Sequence, residues 1–244
     1  MNVEYHEFYS SHLDRVMPFK VYGHGGKPVI VFPSSGGRFY EYEDFKMIEA
    51  VKDFIQDGKY VFYTVDSVDN ESWLSKDKWA GDRARMHNAF DRYITEEFIP
   101  FVKFHSGWTG PMVVTGCSMG GYHSANFYFR HPDVFDTVIA LSGIYDARFF
   151  VGDDISDVDV YLNSPVHYLR GLEDHYYLDL FREGTIIICT GQGAWEEDSI
   201  KDTRLLGEVL REKNVPAWID FWGYDVNHDW PWWRVQMPYF LGHL

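Results

Sequence analysis

The run Gly116-Cys117-Ser118-Met119-Gly120-Gly121 constrains this chain more than any other feature. It follows a short apolar run, residues 112–115, and precedes a helix-like stretch, residues 122–130. A chain that turns from strand to helix within so few residues holds the central Ser in a strained backbone conformation with its hydroxyl thrust outward. Side chains on either flank would collide, so glycines stand there. The start of the helix then aims free N–H groups at negative charge developing beside the hydroxyl. Ser118 is the candidate nucleophile. Its rival, Cys117, is turned by the strand period toward the core, where thiols are usually inert.

The rest of the chain repeats this strand-then-helix order. Apolar runs at residues 29–32, 60–65, 112–115, 138–141, 185–189 and 217–221 are rich in β-branched and aromatic residues and alternate little with polar ones. Strands buried on both faces look like this, which predicts a mostly parallel sheet covered by helices. Helical spacing is read at residues 42–57, 82–104 and 199–213, the last followed by Pro216. The first 28 residues read as an antiparallel lead-in hairpin. Residues 66–81 and 144–182 break the rhythm after strand ends, where α/β folds place ligands, and are candidate lid or pocket segments. One domain spanning residues 1–244 is expected, since α/β folds of this size are often single units.

Composition excludes several classes. The chain carries 22 Lys+Arg against 37 Asp+Glu, a net charge of −15. That argues against nucleic-acid or anionic-membrane partners. A hydrophobic share of 45% argues against disorder. No run reaches the length of a membrane helix. The opening residues lack the basic and apolar stretches of a secretory signal. Cys117 and Cys189 each end an apolar run and read as buried thiols in a reducing compartment, hence a cytoplasmic protein. Residues 153–159 form an acidic run, read as a solvated loop or helix start because the glycine and terminal Glu of a calcium loop are missing. No metal-ligand spacing and no dinucleotide fingerprint appears, so neither metal nor cofactor is expected.

A serine hydroxyl needs a base. Among the histidines after Ser118, His228 is best placed, in the loop after the last strand-like run; His123, one turn into the helix, is expected to pack. The acid that orients the imidazole belongs after the run at 185–189, in Gly191-Gln192-Gly193-Ala194-Trp195-Glu196-Glu197-Asp198, where three adjacent carboxylates compete. Two backbone N–H groups should hold the oxyanion. One is that of Met119; the other comes from Pro33-Ser34-Ser35-Gly36-Gly37, with Ser35 favoured over Ser34. Trp195, Trp230 and Ser34 are candidate substrate-pocket residues.

With Gly116-Cys117-Ser118-Met119-Gly120-Gly121, Gly191-Gln192-Gly193-Ala194-Trp195-Glu196-Glu197 and His228-Asp229-Trp230-Pro231-Trp232-Trp233, the chain resembles the esterase-D and antigen-85-like branch of the α/β-hydrolases. The resemblance runs from about residue 27 to the C-terminus. It implies a three-layer sandwich with a mostly parallel central sheet and an antiparallel N-terminal lead-in. It implies Ser118 as nucleophile, His228 as base and Glu197 as acid, with Glu196 reached by a one-residue shift of the loop. The branch often shows His-Gly or Asp-Gly after the third strand, where this chain has Pro33-Ser34-Ser35.

The resulting expectation is a cofactor-free serine esterase acting through an acyl-enzyme on a small acyl, aryl or sugar ester, with the oligomeric state left open, homo-oligomers included. The alternatives are an acyltransferase on the same site, a non-catalytic binding protein that keeps the fold, and, ranked lowest, a peptidase.

Overall fold

The computed structural model describes residues 1–153 and 155–244. Eight strands form one sheet in the order β1-β2-β4-β3-β5-β6-β7-β8. They are β1 Val3–Ser10, β2 Arg15–Tyr22, β3 Lys27–Phe32, β4 Tyr60–Val65, β5 Met112–Cys117, β6 Phe135–Leu141, β7 Thr185–Thr190 and β8 Trp218–Phe221. β2 pairs antiparallel with both neighbours, and the pairs from β4 to β8 are parallel. The expected lead-in hairpin is therefore β1–β2, and every apolar run read as a strand lies on one. This is the α/β sandwich with an antiparallel lead-in.

The central strands β4 and β5 are buried along their whole length because helices cover both faces. One face packs against α1 Glu41–Asp44, α2 Met47–Ala50, α3 Lys52–Gln56 and the C-terminal α12 Trp230–Leu241, through Ile48, Val51, Met237 and Phe240. The other packs against α4 Ala80–Arg92, α5 Ile99–Ser106, α6 Met119–Arg130, α9 Pro165–Gly171, α10 His175–Glu183 and α11 Glu197–Glu212, through Phe90, Val102, Phe127, Phe181 and Leu206.

Two helical expectations change in detail. Residues 42–57 form three short helices, not one. Lys46 takes a left-handed φ of 63° and restarts the chain as α2, and Val51 falls between α2 and α3. Tyr42, Met47, Ile48 and Ile55 still reach the same core, which is why the apolar spacing looked continuous. The stretch expected at 82–104 contains a π-helical segment, Tyr93–Phe98, between α4 and α5.

Residues 66–81 hold turns up to the start of α4. Residues 144–182 carry four short helices, α7 Arg148–Val151, α8 Val158–Tyr161, α9 and α10. The two segments meet. Trp73 stacks on Phe150 at 5.7 Å, and Trp73, Ala147 and Val160 share a small core with Met119 and Tyr122 of α6. Of the acidic run, Asp157 caps α8 by accepting from the Asp159 N–H at 2.9 Å, a helix start; Asp154 lies outside the described residues.

Candidate active site

β5 delivers Ser118 to the carboxyl edge of the sheet. Its backbone sits at φ 56°, ψ −121°, a region non-glycine residues seldom enter, and α6 begins at the next residue. The turn is possible because the neighbours have no Cβ. A Cβ at Gly116 would lie 2.4 Å from the Gly120 backbone, and one at Gly120 would lie 2.4 Å from the Phe32 carbonyl oxygen. Ser118 Oγ lies 2.9 Å from His228 Nε2. Cys117 is fully buried on the opposite side, its sulfur 3.6 Å from the Tyr42 hydroxyl, and burial pushes its thiol pKa far up.

His228 stands in the loop between β8 and α12 and is stitched to the loop after β7. Its N–H donates to the Ala194 carbonyl at 3.0 Å, and the Gly193 N–H donates to that of Val226 at 2.8 Å. The two loops touch so closely that a Cβ on Gly191 would come within 2.1 Å of the Val226 oxygen, which explains the glycine there. His228 Nδ1 lies 3.0 Å from Glu196 Oε2. Since Nδ1 faces a carboxylate it carries the proton, which leaves Nε2 to accept from the Ser118 hydroxyl.

The carboxylate on His228 belongs to Glu196, not to Glu197, the position carried over from the resemblance. Trp195 takes a left-handed φ of 69°, and the turn it makes sends Glu196 inward and Glu197 outward. Glu197 is exposed in the first turn of α11, where its charge complements the helix N-terminus; Asp198 is exposed beside it. Glu196 is fully buried and well supplied with donors. Oε1 accepts from Ser142 Oγ at 2.7 Å and the Gly191 N–H at 3.2 Å; Oε2 accepts from Thr190 Oγ1 at 3.0 Å and from Ser199 Oγ. Burial alone would raise its pKa. The hydrogen bonds from His228, Ser199 and Ser142 outweigh burial and hold it below the usual carboxylate value.

Sequence reading missed Ser142, Thr190 and Ser199, and held Trp233 only as part of the motif that begins at His228. Ser142 donates to Glu196 and accepts from Trp233 Nε1 at 3.0 Å, while the Trp233 ring packs edge-on against His228. For Ser142 the available signal was Ser142-Gly143 at the end of β6.

The loop after β3 crosses the start of α6, since the carbonyls of Phe32 and Pro33 lie against Gly120. Ser34 is committed. Its N–H donates to Glu41 Oε2 at 2.7 Å and its hydroxyl to Oε1 at 2.6 Å. That removes Ser34 both as rival oxyanion donor and as a free pocket hydroxyl. Ser35 is exposed in the turn closed by the Gly37 N–H on the Ser34 carbonyl at 2.8 Å. Met119 is the first residue of α6, so its N–H has no intrahelical acceptor. Glu41, which fixes this loop, is itself buried, and burial raises its pKa against the bonds from Ser34.

Of the two pocket tryptophans, Trp195 is 83% exposed. Trp230 is buried, stacked on Phe45 at 4.7 Å and edge-on to Tyr42, so it is core and not an open wall. His123 packs, as expected: it is fully buried, with Nε2 2.8 Å from Asp69 Oδ1.

Comparison with known proteins decides the family. A family model described as "Putative esterase" matches residues 10–244. The chain belongs to this esterase family. As a member it is a serine hydrolase of carboxylic esters. Solved structures agree in fold: a ferulic acid esterase matches at a TM-score of 0.76 and 16% identity, covering 99% of this chain and 96% of that one. An S-formylglutathione hydrolase from Staphylococcus aureus matches at 0.70 and 17%, covering 99% and 98%. MPT51 of Mycobacterium tuberculosis matches at 0.76 and 14%, covering 100% and 97%. No curated relative matches the chain. Among the described residues no helix is long and apolar enough to cross a membrane.

Proposed function

We propose that this esterase works through an acyl-enzyme formed on Ser118, with His228 as general base, Glu196 as the acid that orients it, and the N–H groups of Met119 and Ser35 as the oxyanion hole. The observation that carries this reading is the His228 ring, which bridges Ser118 Oγ at 2.9 Å and Glu196 Oε2 at 3.0 Å. His228 takes the serine proton as Oγ attacks the ester carbonyl. Glu196 stabilises the imidazolium, and the tetrahedral oxyanion rests against the start of α6. His228 then protonates the leaving alcohol. Water repeats the sequence and frees the acid.

The substrate in this reading is a small acyl, aryl or sugar ester. Trp195, exposed one residue before Glu196, offers a flat apolar face to such a group. The segments at 66–81 and 144–182, joined through Trp73 and Phe150 above Met119, form the rim that selects it. The net charge of −15 disfavours polyanionic esters. Two buried free thiols suit a reducing compartment such as the cytoplasm.

Replacing Ser118 with Ala tests the reading. Turnover of p-nitrophenyl acetate should fall by on the order of 10⁴-fold or more, and labelling by a fluorophosphonate probe should vanish, with the thermal transition kept. Activity close to that of the parent would refute it. A panel of acetyl, feruloyl and sugar esters ranked by kcat/KM then tests the substrate class.

A further inference from the structure

Among the described residues one group of three potential metal ligands converges: Glu4, His6 and His105, with one ligand atom of each lying within 4.8 Å of the others. We propose that these three side chains bind a divalent transition-metal ion of the zinc class and that the ion straps β1 to α5. The proposal does not rest on the esterase reading. The group sits on β1, at the edge of the sheet, and three strands (β2, β4 and β3) separate it from β5, which carries Ser118.

The strand period puts Glu4 and His6 on one face of β1, and the last turn of α5 brings His105 to them. Glu4 Oε2 lies 2.9 Å from His6 Nε2 and 3.1 Å from His105 Nε2. Two imidazole nitrogens and one carboxylate oxygen are a donor set that zinc accepts, with water in the fourth position. Tetrahedral bonds of about 2.0–2.1 Å separate ligand atoms by roughly 3.3–3.4 Å, and both Glu4 contacts lie within a few tenths of an ångström of that spacing, with the two imidazole nitrogens within 4.8 Å of each other.

The rings are already held. His6 stacks on Phe19 at 5.3 Å and His105 on Phe101 at 5.4 Å. The Tyr63 hydroxyl lies 2.8 Å from His105 Nδ1, the kind of outer partner that orients a ligating imidazole.

Access is open. The three side chains are 29%, 34% and 27% exposed for His6, Glu4 and His105. A cleft of about 260 Å³ lined by Glu4, His24, Tyr63 and His105 adjoins them. An ion at Nε2 requires each imidazole as its Nδ1–H tautomer, in which His105 donates to the Tyr63 oxygen. Sequence spacing gave no hint, because His105 and Glu4 are 101 residues apart.

The test is titration of the full, chelator-treated chain with Zn²⁺ by calorimetry and with Co²⁺ by visible absorption. The expected results are one equivalent bound, a Co²⁺ band of four-coordinate intensity, and a Tm that rises with Zn²⁺. His105→Ala and Glu4→Gln should abolish all three at concentrations that saturate the parent. Tyr63→Phe should weaken Zn²⁺ binding about tenfold. His243→Ala, at the exposed C-terminus, should change nothing. Glu4→Gln keeps an acceptor for both imidazoles, so it remains informative if His105→Ala fails to fold. Absence of saturable binding to the parent, or equal binding by the parent and Glu4→Gln, overturns the proposal.

Discussion

Ser142 Oγ donates a 2.7 Å hydrogen bond to Oε1 of Glu196, across the gap between the ends of β6 and β7. The same hydroxyl accepts from Trp233, so the buried carboxylate is braced by the helix that follows His228 as well as by His228 itself. Ser142→Ala removes that brace. A hydrogen bond to a charged group is worth about 1.5–3 kcal/mol. With only part of that felt in the transition state, kcat/KM for p-nitrophenyl acetate should fall about tenfold. An unchanged kcat/KM would show that the brace does not reach the imidazole.

Glu196 and Glu197 differ by one position and should differ sharply in consequence. Glu196→Gln keeps the shape but removes the charge that stabilises the imidazolium, so kcat should drop by on the order of 10³–10⁴-fold. Glu197→Gln alters an exposed first-turn charge and should leave kcat within about twofold, with at most about 1 kcal/mol of stability lost. Steady-state kinetics on both variants checks the pair. A larger loss in Glu197→Gln would return the acid to that residue.

Acid should weaken the fold partly through Glu196. Its native pKa lies below the ordinary carboxylate value, because the bonds from His228, Ser199 and Ser142 outweigh burial. Between the two values the unfolded chain binds more protons than the native one, so stability rises with pH there. The contribution is fully present above about pH 4.3 and is lost as pH falls through the native pKa. Urea unfolding from pH 6 to pH 3 should therefore show the parent's advantage over Glu196→Gln shrinking on acidification. Parallel stability curves would contradict the assignment.

Glu41 should matter although nothing about its place in the sequence suggests it. Its carboxylate fixes Ser34 through both the N–H and the hydroxyl, and so sets where the next N–H points. Glu41→Ala leaves the Ser34 N–H without that partner, at a cost of about 1–3 kcal/mol, and frees the loop. The expected outcome is a fall in kcat of about tenfold or more with KM little changed. Glu41→Gln retains one acceptor and should recover part of the loss.

What the sequence disclosed follows from which forces are local. Strands buried on both faces are continuous apolar runs, so β3 to β7 were legible, as was the turn forced on Ser118 by its flanking glycines; β8, a half-exposed edge strand, was read from its β-branched and aromatic residues alone. The split of residues 42–57 was not, because Lys46 reverses its backbone while the apolar residues on either side still face one core. The carboxylate that meets His228 lies one residue before the favoured position for a similar reason. Whether Glu196 or Glu197 turns inward is set by the left-handed Trp195, and aromatic residues carry no preference for that conformation. Ser142 and Glu41 act across contacts between segments distant in the chain, and no periodicity reports those.

The hydrogen atom that serves as the side chain of Gly120 lets two separate crossovers of the sheet lie in direct van der Waals contact, the Phe32 carbonyl against the first turn of α6. The turn that carries Ser118 and the loop after β3 are thereby indexed to one rigid framework, so a side chain at position 120 would push the two apart and shift both at once.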